Sequence, residues 1–224
     1  MREIVFDTET TGFDPAAGDR LVEIGCVELF NRIPTGQTFH RYVNPERDMP
    51  QAAFEVHGLS AEFLAGHPVF AEVIGDFLVF IADSPLVAHN AEFDMKFINA
   101  ELGRLGFPAI PLQRAIDTLI LARQKFPGAP ATLDALCKRF NIDNSGRTKH
   151  GALRDSELLA EAYLELTGGR QTGLALLDEP PAAAQAISGG DKKFRAARPH
   201  QASAEELAAH GHFVSTIPGA LWNG

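Results

Sequence analysis

Two carboxylates stand one residue apart near the start of the chain, Asp7 and Glu9, in the stretch IVFDTETTG (residues 4–12). Side chains at positions i and i+2 of a strand point to the same face, so the two acids would stand side by side at the end of a buried strand. Two like charges this close repel each other, and a divalent cation or a shared proton relieves the repulsion. The alternative is a surface strand end with two unrelated acids, because a short motif is only a hypothesis until its context agrees.

A third acid, Asp94, lies near the start of a predicted helix. A short apolar run and residues 89–90 precede this helix. Its neighbour Glu92 is two positions away and cannot share a helix face with it. Phe93 and Phe97 make one side of this helix apolar, which favours Asp94 as the inward-facing acid. The alternative is a first-turn acid that only stabilises the helix dipole.

The fourth acid, Asp155, follows His150 at a spacing of five residues. In a regular helix these side chains would lie about 140° apart, since there are 3.6 residues per turn. They can converge only if His150 precedes the helix, with Gly151 permitting the bend. The alternative is a loop histidine beside a first-turn acid.

The four acids and the histidine together predict a more specific chemistry than any of them does alone. Carboxylate ligands without cysteine suit Mg²⁺ or Mn²⁺, and four of them suit a site for two divalent ions. A histidine, whose pKa is near neutral, can take a proton from an attacking water. The implied reaction is phosphodiester hydrolysis.

Composition limits how such an enzyme could meet its substrate. The chain has 224 residues, a net charge of −9 and a pI near 5.3. This balance argues against a protein that holds nucleic acid by its own electrostatic field, because phosphate binding normally requires a basic face. It is compatible with an enzyme that grips phosphates through metal ions, or with one that a partner delivers to nucleic acid.

The apolar pattern predicts neither a membrane span nor a secretory signal. No apolar run approaches the ~20 residues needed to span a bilayer, and no secretory signal opens the chain. We therefore expect a cytoplasmic protein. Its two cysteines, Cys26 and Cys137, lie in apolar patterns and are expected to be buried free thiols.

The apolar pattern predicts strands first and then strands alternating with helices. Residues 3–6, 20–30 and 38–43 predict an antiparallel meander, with residues 31–36 as a hairpin loop. Helices are predicted at residues 60–64, 69–83, 93–105, 118–124, 132–140 and 153–166, with short strands at 86–88 and 115–117. This order predicts an α/β fold, with a mixed sheet of antiparallel and parallel strands flanked by helices.

Three motifs in this order resemble those of the DEDD exonuclease superfamily, in the subgroup that carries a histidine. They are DTETTG (7–12), HNAEFD (89–94) and HGALRD (150–155). Within the superfamily the chain is most similar to the epsilon proofreading subunits of bacterial DNA polymerase III. That similarity rests on FEVHGL (54–59), FPG (126–128), LDALC (133–137) and LTGG (166–169), and the resemblance covers roughly residues 1–170.

The resemblance implies a ribonuclease H-like fold and 3′→5′ removal of nucleoside 5′-monophosphates from DNA. It implies a site for two Mg²⁺ or Mn²⁺ ions held by Asp7, Glu9, Asp94 and Asp155, with Asp7 between the ions and His150 as the general base. It further implies that these residues contact the single-stranded 3′ end of DNA: Asp7, Glu9, Thr10, Thr11, His57, Asn90 and Asp155. For His57 the alternative is a neutral core or loop histidine.

Beyond residue 170 the sequence predicts a linker and a partner-binding tail, residues 171–224. Helical periodicity ends there, and residues 178–191 are typical of a flexible linker. Residues 171–177 resemble the sliding-clamp-binding peptide of epsilon subunits, with Gln171 as anchor and Leu174 and Leu176 entering a pocket. A simple helix-exit segment is the alternative.

The last segment, about residues 200–224, gathers Phe213 and Trp222 with aliphatic groups in a stretch too short to bury them. We therefore expect it to dock on another protein. By resemblance, that protein is the polymerase catalytic (alpha) subunit. The alternative is a strand or helix packed back on the first domain.

These observations favour a metal-dependent 3′→5′ exonuclease that proofreads within a replicative polymerase. An exoribonuclease of the same superfamily is the alternative within the class, because the residues alone do not set a preference between DNA and RNA. A non-catalytic scaffold between polymerase and clamp is a third hypothesis, and the complete set of acids argues against it. A phosphatase with an Asp-x-Asp nucleophile is disfavoured because Glu9 occupies the second acidic position.

Overall fold

The computed structural model describes residues 1–146, 149–169 and 201–218. It divides the chain into two compact units, Met1–Ala175 and Leu176–Gly224. The domain boundary predicted near residue 170 stays a prediction. Within the described residues, no helix is both long and apolar enough to cross a membrane.

Five strands form one mixed sheet in the described part of the first unit. They are β1 (Arg2–Thr10), β2 (Leu21–Phe30), β3 (Ile33–Tyr42), β4 (Leu86–Ala88) and β5 (Ala115–Asp117). Their order across the sheet is β3-β2-β1-β4-β5. The β1–β2 and β2–β3 pairs are antiparallel, whereas β1–β4 and β4–β5 are parallel. The predicted meander followed by parallel strands is therefore confirmed.

Helices cover both faces of this sheet. They are α1 (Gln51–His57), α2 (Ala61–Ala65), α3 (Phe70–Ile81), α4 (Ala91–Arg104), α5 (Thr118–Lys125), α6 (Leu133–Phe140) and α7 (Ala152–Leu166). Several starts are fixed by side-chain caps, because a cap oxygen satisfies a backbone N–H that has no partner within the helix. Ser60 and Thr132 accept such bonds at the predicted positions, and Asp117 does so for α5.

Two hydrophobic cores lie on opposite faces of β1, because successive side chains of a strand alternate between faces. Phe6 packs on one side with α3 and α4, through Phe77 and Met95. Val5 packs on the other side with α6 and α7. The two cysteines are buried free thiols, as expected, with Cys26 in the first core and Cys137 in the second.

The predicted hairpin loop at residues 31–36 is too long. The turn consists of Asn31 and Arg32, both with positive φ (51° and 67°), and β3 begins directly at Ile33. A two-residue turn of this conformation matches the twist of the flanking strands. Pro34 is tolerated because β3 is an edge strand, where a missing N–H leaves no ladder partner unsatisfied.

Two helices had no counterpart in the sequence analysis. One is α1, in a segment to which no element was assigned. The other is α8 (Ala204–Ser215) in the second unit, which begins with a capping box between Ser203 and Glu206. It contains Phe213, whose side chain is exposed. Part of the predicted partner-binding segment is thus helical.

Candidate active site

The end of β1 directs its polar side chains to opposite faces of the sheet. Asp7 and Glu9 lie on the face of Val5, which α7 covers, whereas Thr8 lies on the face of Phe6 beside α4. A single strand end therefore reaches two helices at once. This placement supports the expected pairing of Asp7 with Glu9.

Thr8 ties β1 to the start of α4. Its backbone N–H and its hydroxyl both donate to Asp94 Oδ1, at 2.9 and 2.7 Å. Burial raises the pKa of Asp94 to about 7, although the bonds from Thr8 favour the charged form. Asp94 therefore faces inward, as predicted, and is held there by the neighbouring strand.

The first turn of α7 rests directly on β2. Gly25, which pairs with Asp7, lies so close that a Cβ on it would be 2.1 Å from the Leu153 nitrogen. Ser156 Oγ also donates to the Gly25 carbonyl at 2.9 Å. This contact holds the buried carboxylate of Asp155 over the acids of β1.

His150 precedes α7, as the spacing required, but Gly151 does not act as expected. Its backbone is extended (φ −160°), which any residue can adopt, and a Cβ would meet nothing within 4 Å. The bend that Gly151 was expected to permit therefore does not depend on the conformational freedom of glycine. An extended backbone at position 151 is enough to direct His150 toward Asp155.

His150 and two acids form a compact set of possible metal ligands. Glu9, His150 and Asp155 each offer one ligand atom, and these atoms lie within 4.8 Å of one another. His150 Nδ1 lies 3.1 Å from Asp155 Oδ2. A carboxylate only accepts when ionised, so the ring donates through Nδ1–H, and Nε2 is the ring nitrogen that can act as a base.

Asp7 lies at the centre of the negative charge. Burial raises its pKa well above the usual value, and the carboxylates of Asp94, Glu9 and Asp155 raise it further. Divalent cations relieve such crowding, and all-oxygen sets suit hard ions. The donor set therefore fits the metal site that the sequence predicts.

These residues line an open cleft of about 530 Å³, named here the acidic cleft. Its walls include the four acids with His150, and also Asn90, Arg123 and Asp134. A second cavity of about 510 Å³, named here the side pocket, shares Thr8, Glu9 and Phe93 with it. The side pocket is also lined by Thr10, Thr11, Phe13 and His57.

His57 reaches the side pocket from the end of α1 as a buried donor. Its Nδ1 accepts from the Leu59 backbone N–H at 3.0 Å, so Nε2 carries the proton. Nε2 makes no hydrogen bond with the described residues, although the Thr10 backbone lies close enough to the ring to favour its charged form. Burial lowers the pKa of His57, so the ring is neutral, with an unsatisfied donor beside the cavity. A buried group of this kind calls for a partner.

Three further predicted contact residues lie on the cavity walls. The Thr10 hydroxyl donates to the Gly12 carbonyl at 2.6 Å. The Thr11 hydroxyl lies 3.3 Å from Asp19 and accepts from the Arg20 backbone N–H. Asn90 begins α4 with a positive φ of 69° and is exposed at the acidic cleft. Both threonines thus shape the loop after β1, and their direct contact with substrate stays a prediction.

The predicted tail contacts divide between described and undescribed residues. Gln171, Leu174, Leu176 and Trp222 lie outside the described residues. Phe213 is described and lies on α8. These assignments stay predictions.

The structure adds functional candidates that the sequence analysis did not single out. Phe13 is 85% exposed at the side pocket, on a loop held by Asp19, which accepts from the Asp14 backbone N–H. Asp117 accepts the backbone N–H groups of Asn90 and Ala91, so it fixes the start of α4. Its position after a short apolar run was the available signal. For Phe13 the sequence offers none, because exposure depends on the loop fold.

Comparison with known proteins agrees with this geometry. The family model RNase_T, described as Exonuclease, matches residues 4–163. The chain is 50% identical to DNA polymerase III subunit epsilon of Rickettsia felis over 222 residues, covering 97% of both chains. It is 47% identical to the subunit of the same name from Escherichia coli over 186 residues, covering 80% of this chain and 76% of the relative.

Solved structures agree on the fold. Exonuclease X in complex with 5′ overhanging duplex DNA is 25% identical, with a TM-score of 0.57 over 74% of this chain and 90% of that one. The nuclease domain of 3'hExo, a DEDDh family member bound to rAMP, is 18% identical, with a TM-score of 0.62 and the same coverage, and shares the fold. The chain therefore belongs to the exonuclease family and, within it, to the DNA polymerase III epsilon subunits.

Proposed function

We propose that this chain removes mispaired nucleotides from the 3′ end of DNA, as the proofreading 3′→5′ exonuclease of a bacterial replicative polymerase. The observation that carries the proposal is the convergence of four carboxylates and His150, from three distant segments, on one cleft in a chain of the epsilon family. The activity requires a phosphodiester to enter that cleft and water to attack it.

Two divalent ions, Mg²⁺ or Mn²⁺, would be held by Asp7, Glu9, Asp94 and Asp155, with Asp7 serving both. When bound, they supply positive charge to the scissile phosphate and lower the pKa of the attacking water. The raised pKa of Asp7 supports this assignment, because a site that strains to hold its own negative charge gains most from cations. Thr8 orients Asp94 for the same purpose.

His150 is the general base. Its Nδ1–H donates to Asp155, which fixes the tautomer and aims the ring, so Nε2 accepts the proton from the attacking water. The water oxygen bonds to phosphorus and the P–O3′ bond breaks. The terminal nucleotide leaves with its 5′-phosphate. The leaving O3′ takes a proton from solvent water to become a 3′-hydroxyl, and His150 returns its proton to solvent.

The side pocket would receive the terminal nucleotide. His57 offers the Nε2–H that has no partner among the described residues, and a sugar or phosphate oxygen would satisfy it. Thr10, Thr11 and Asn90 would line the same path, with Arg123 as a cation for a neighbouring phosphate. Only a frayed single strand can enter, since a base must leave its stack to reach the acids.

The assay that tests this function uses the purified chain, a 3′-mismatched DNA primer and Mg²⁺. Release of mononucleotides that is lost in Asp7→Ala supports the proposal. Absence of release, or equal release from the variant, refutes it. A matched RNA strand tests the exoribonuclease alternative, which requires RNA to be the better substrate.

The tail would join the enzyme to its partners in the cytoplasm. With a net charge of −9, the chain is poorly suited to hold DNA alone, so a partner that holds it would compensate. We assign residues 1–170 to catalysis, residues about 200–224 to the polymerase alpha subunit and residues 171–177 to the sliding clamp. The exposed Phe213 on α8 supports a docking role.

Truncation tests the assignment to alpha. A chain that ends at Pro180 should hydrolyse DNA as fast as the full chain and no longer co-elute with the polymerase alpha subunit. Co-elution of the shortened chain overturns the assignment. For the clamp, replacing Gln171, Leu174 and Leu176 together by alanine should weaken clamp binding while alpha binding persists, and unchanged clamp binding overturns that assignment.

A further inference from the structure

The loop that carries His150 is fastened to α1. The His150 backbone N–H donates to the Val56 carbonyl at 3.2 Å. The preceding side chain, Lys149, places its Nζ 4.9 Å from the centroid of the Phe54 ring and 3.5 Å from the Phe54 carbonyl oxygen. Among the contacts of the described residues, a backbone hydrogen bond and a cation over an aromatic face therefore join the loop to α1.

Gly58 makes room for this lysine. A Cβ on Gly58 would lie 2.6 Å from Lys149 Cδ and 2.9 Å from Nζ, closer than real side chains approach. Its φ of +76°, at the end of α1, also suits glycine. The absence of a side chain at Gly58 therefore leaves space for the side chain of Lys149.

The contact matters because α1 serves two parts of the site. Its last residue, His57, forms a wall of the side pocket, and the same turn provides the carbonyl that binds the His150 backbone. One turn of α1 would thereby set the distance from the base to a nucleotide in the side pocket. A loop that moved relative to α1 would move His150 relative to the attacking water.

We propose that Lys149 is a positioning residue for the general base: through its contacts with Phe54, in the space that Gly58 leaves, it holds the His150 loop on α1. It acts through His150 and does not contact the reacting atoms. This inference rests on the proposed exonuclease activity. A small displacement of a base that is otherwise intact lowers turnover by ~10- to 100-fold and leaves ground-state binding unchanged.

The experiment measures kcat, KM and the melting temperature of the full chain on a single-stranded oligonucleotide with Mg²⁺. Lys149→Met keeps most of the stem and removes the charge, and we expect kcat to fall about 10-fold, with KM within twofold and an unchanged melting temperature. Lys149→Arg should restore most of kcat, because guanidinium also binds aromatic faces. Lys138→Ala, an exposed lysine on α6, is the control and should match the wild type.

A double variant tests the route. Phe54→Leu should lower kcat by a similar factor, and Phe54→Leu with Lys149→Met should be no slower than either alone, because both remove the same contact. Additive losses overturn the proposed route. So does an unchanged kcat in Lys149→Met, and so does a raised KM with normal kcat, which would make Lys149 a DNA contact. An inactive wild-type chain would refute the proposed function instead, so the two failures are distinguishable.

Discussion

Gly25 and Leu153 meet through their backbones: a Cβ on Gly25 would lie 2.1 Å from the Leu153 nitrogen and 2.2 Å from the preceding carbonyl carbon of Ala152. Gly25 also stands opposite Asp7 in the β1–β2 pair. The sheet and α7 therefore touch without a side chain between them. This contact lies beside Asp7 of the sheet and Asp155 of α7. This close approach sets the distance from Asp155 to the acids of β1.

Substitution of Gly25 by alanine should move the first turn of α7, with Asp155, away from the acids of β1. The added methyl forces the first turn of α7 outward, which destabilises the fold by about 1–3 kcal/mol and moves Asp155 and His150 off their partners. We expect kcat to fall at least ~100-fold, since ligand and base shift together. Thermal unfolding and single-strand hydrolysis measure the two effects.

Gly75→Ala is the matched control for that variant. Gly75 lies exposed on α3, and a Cβ there would meet nothing within 4 Å. It should keep full activity and gain up to ~1 kcal/mol of stability, because alanine is the better helix former. Normal activity in Gly25→Ala would contradict the role assigned to the contact.

Removal of the charge on Asp7 should lower the activity and raise the stability of the metal-free protein. Asp7→Asn eliminates one carboxylate from a cluster in which the other acids raise its pKa, so the metal-free protein should melt at a higher temperature. Loss of a ligand to both ions should lower kcat by about 10³-fold, which corresponds to ~4 kcal/mol. Asp76→Asn, an exposed acid on α3, should change neither quantity. A stabilised variant that remains active would contradict the assignment of Asp7.

The stability of the metal-free protein should depend on pH through Asp94. The pKa of this acid is about 7 in the folded chain and ~3.9 in the unfolded chain, so the folded state binds more protons between these values. Its contribution to stability is therefore lost as the pH rises from about 4 to 7. Burial lowers the pKa values of His57 and His89, which act in the opposite direction.

The difference between Asp94→Asn and the wild type isolates this effect. In the presence of a chelator, the melting temperature of the variant minus that of the wild type should increase as the pH rises from 5 to 8. Excess Mg²⁺ should stabilise the wild type most at pH 8, where the acids are ionised, because ligands must be deprotonated to bind. A constant difference across this range would contradict the raised pKa.

The sequence was sufficient to predict where Asp7, Asp94 and Asp155 lie in the fold, because their positions follow from local rules. A strand end, a helix start after a strand and a loop before a helix are all readable from apolar periodicity. It was insufficient for contacts between distant segments. Sequence reasoning expected Gly151 to permit the bend before α7, whereas the structure shows that Gly25 is the glycine that α7 approaches.

The elements that were missed depend on tertiary context in the same way. The segment Ile33–Gly36 is exposed and contains Pro34, so nothing local marks it as a strand, and its pairing with the end of β2 defines it. Helix α1 is short, with Pro50 before it and no side-chain cap. Isolated helices of this length are unstable in water, so packing rather than propensity determines them.

Phe13 should bind the DNA strand by stacking. It is 85% exposed at the side pocket, on a loop that Asp19 holds through the Asp14 backbone and Arg47. An exposed aromatic ring beside a nucleotide pocket offers a face to a base, and such stacking contributes ~1–3 kcal/mol per base.

Phe13→Ala should therefore raise KM for a single-stranded oligonucleotide between about 5- and 150-fold, with kcat nearly unchanged. Phe30→Ala, which removes another exposed ring (58% exposed) at the C-terminal end of β2, should leave KM as it is. Equal KM values for all three proteins would show that the ring at position 13 does not meet the DNA.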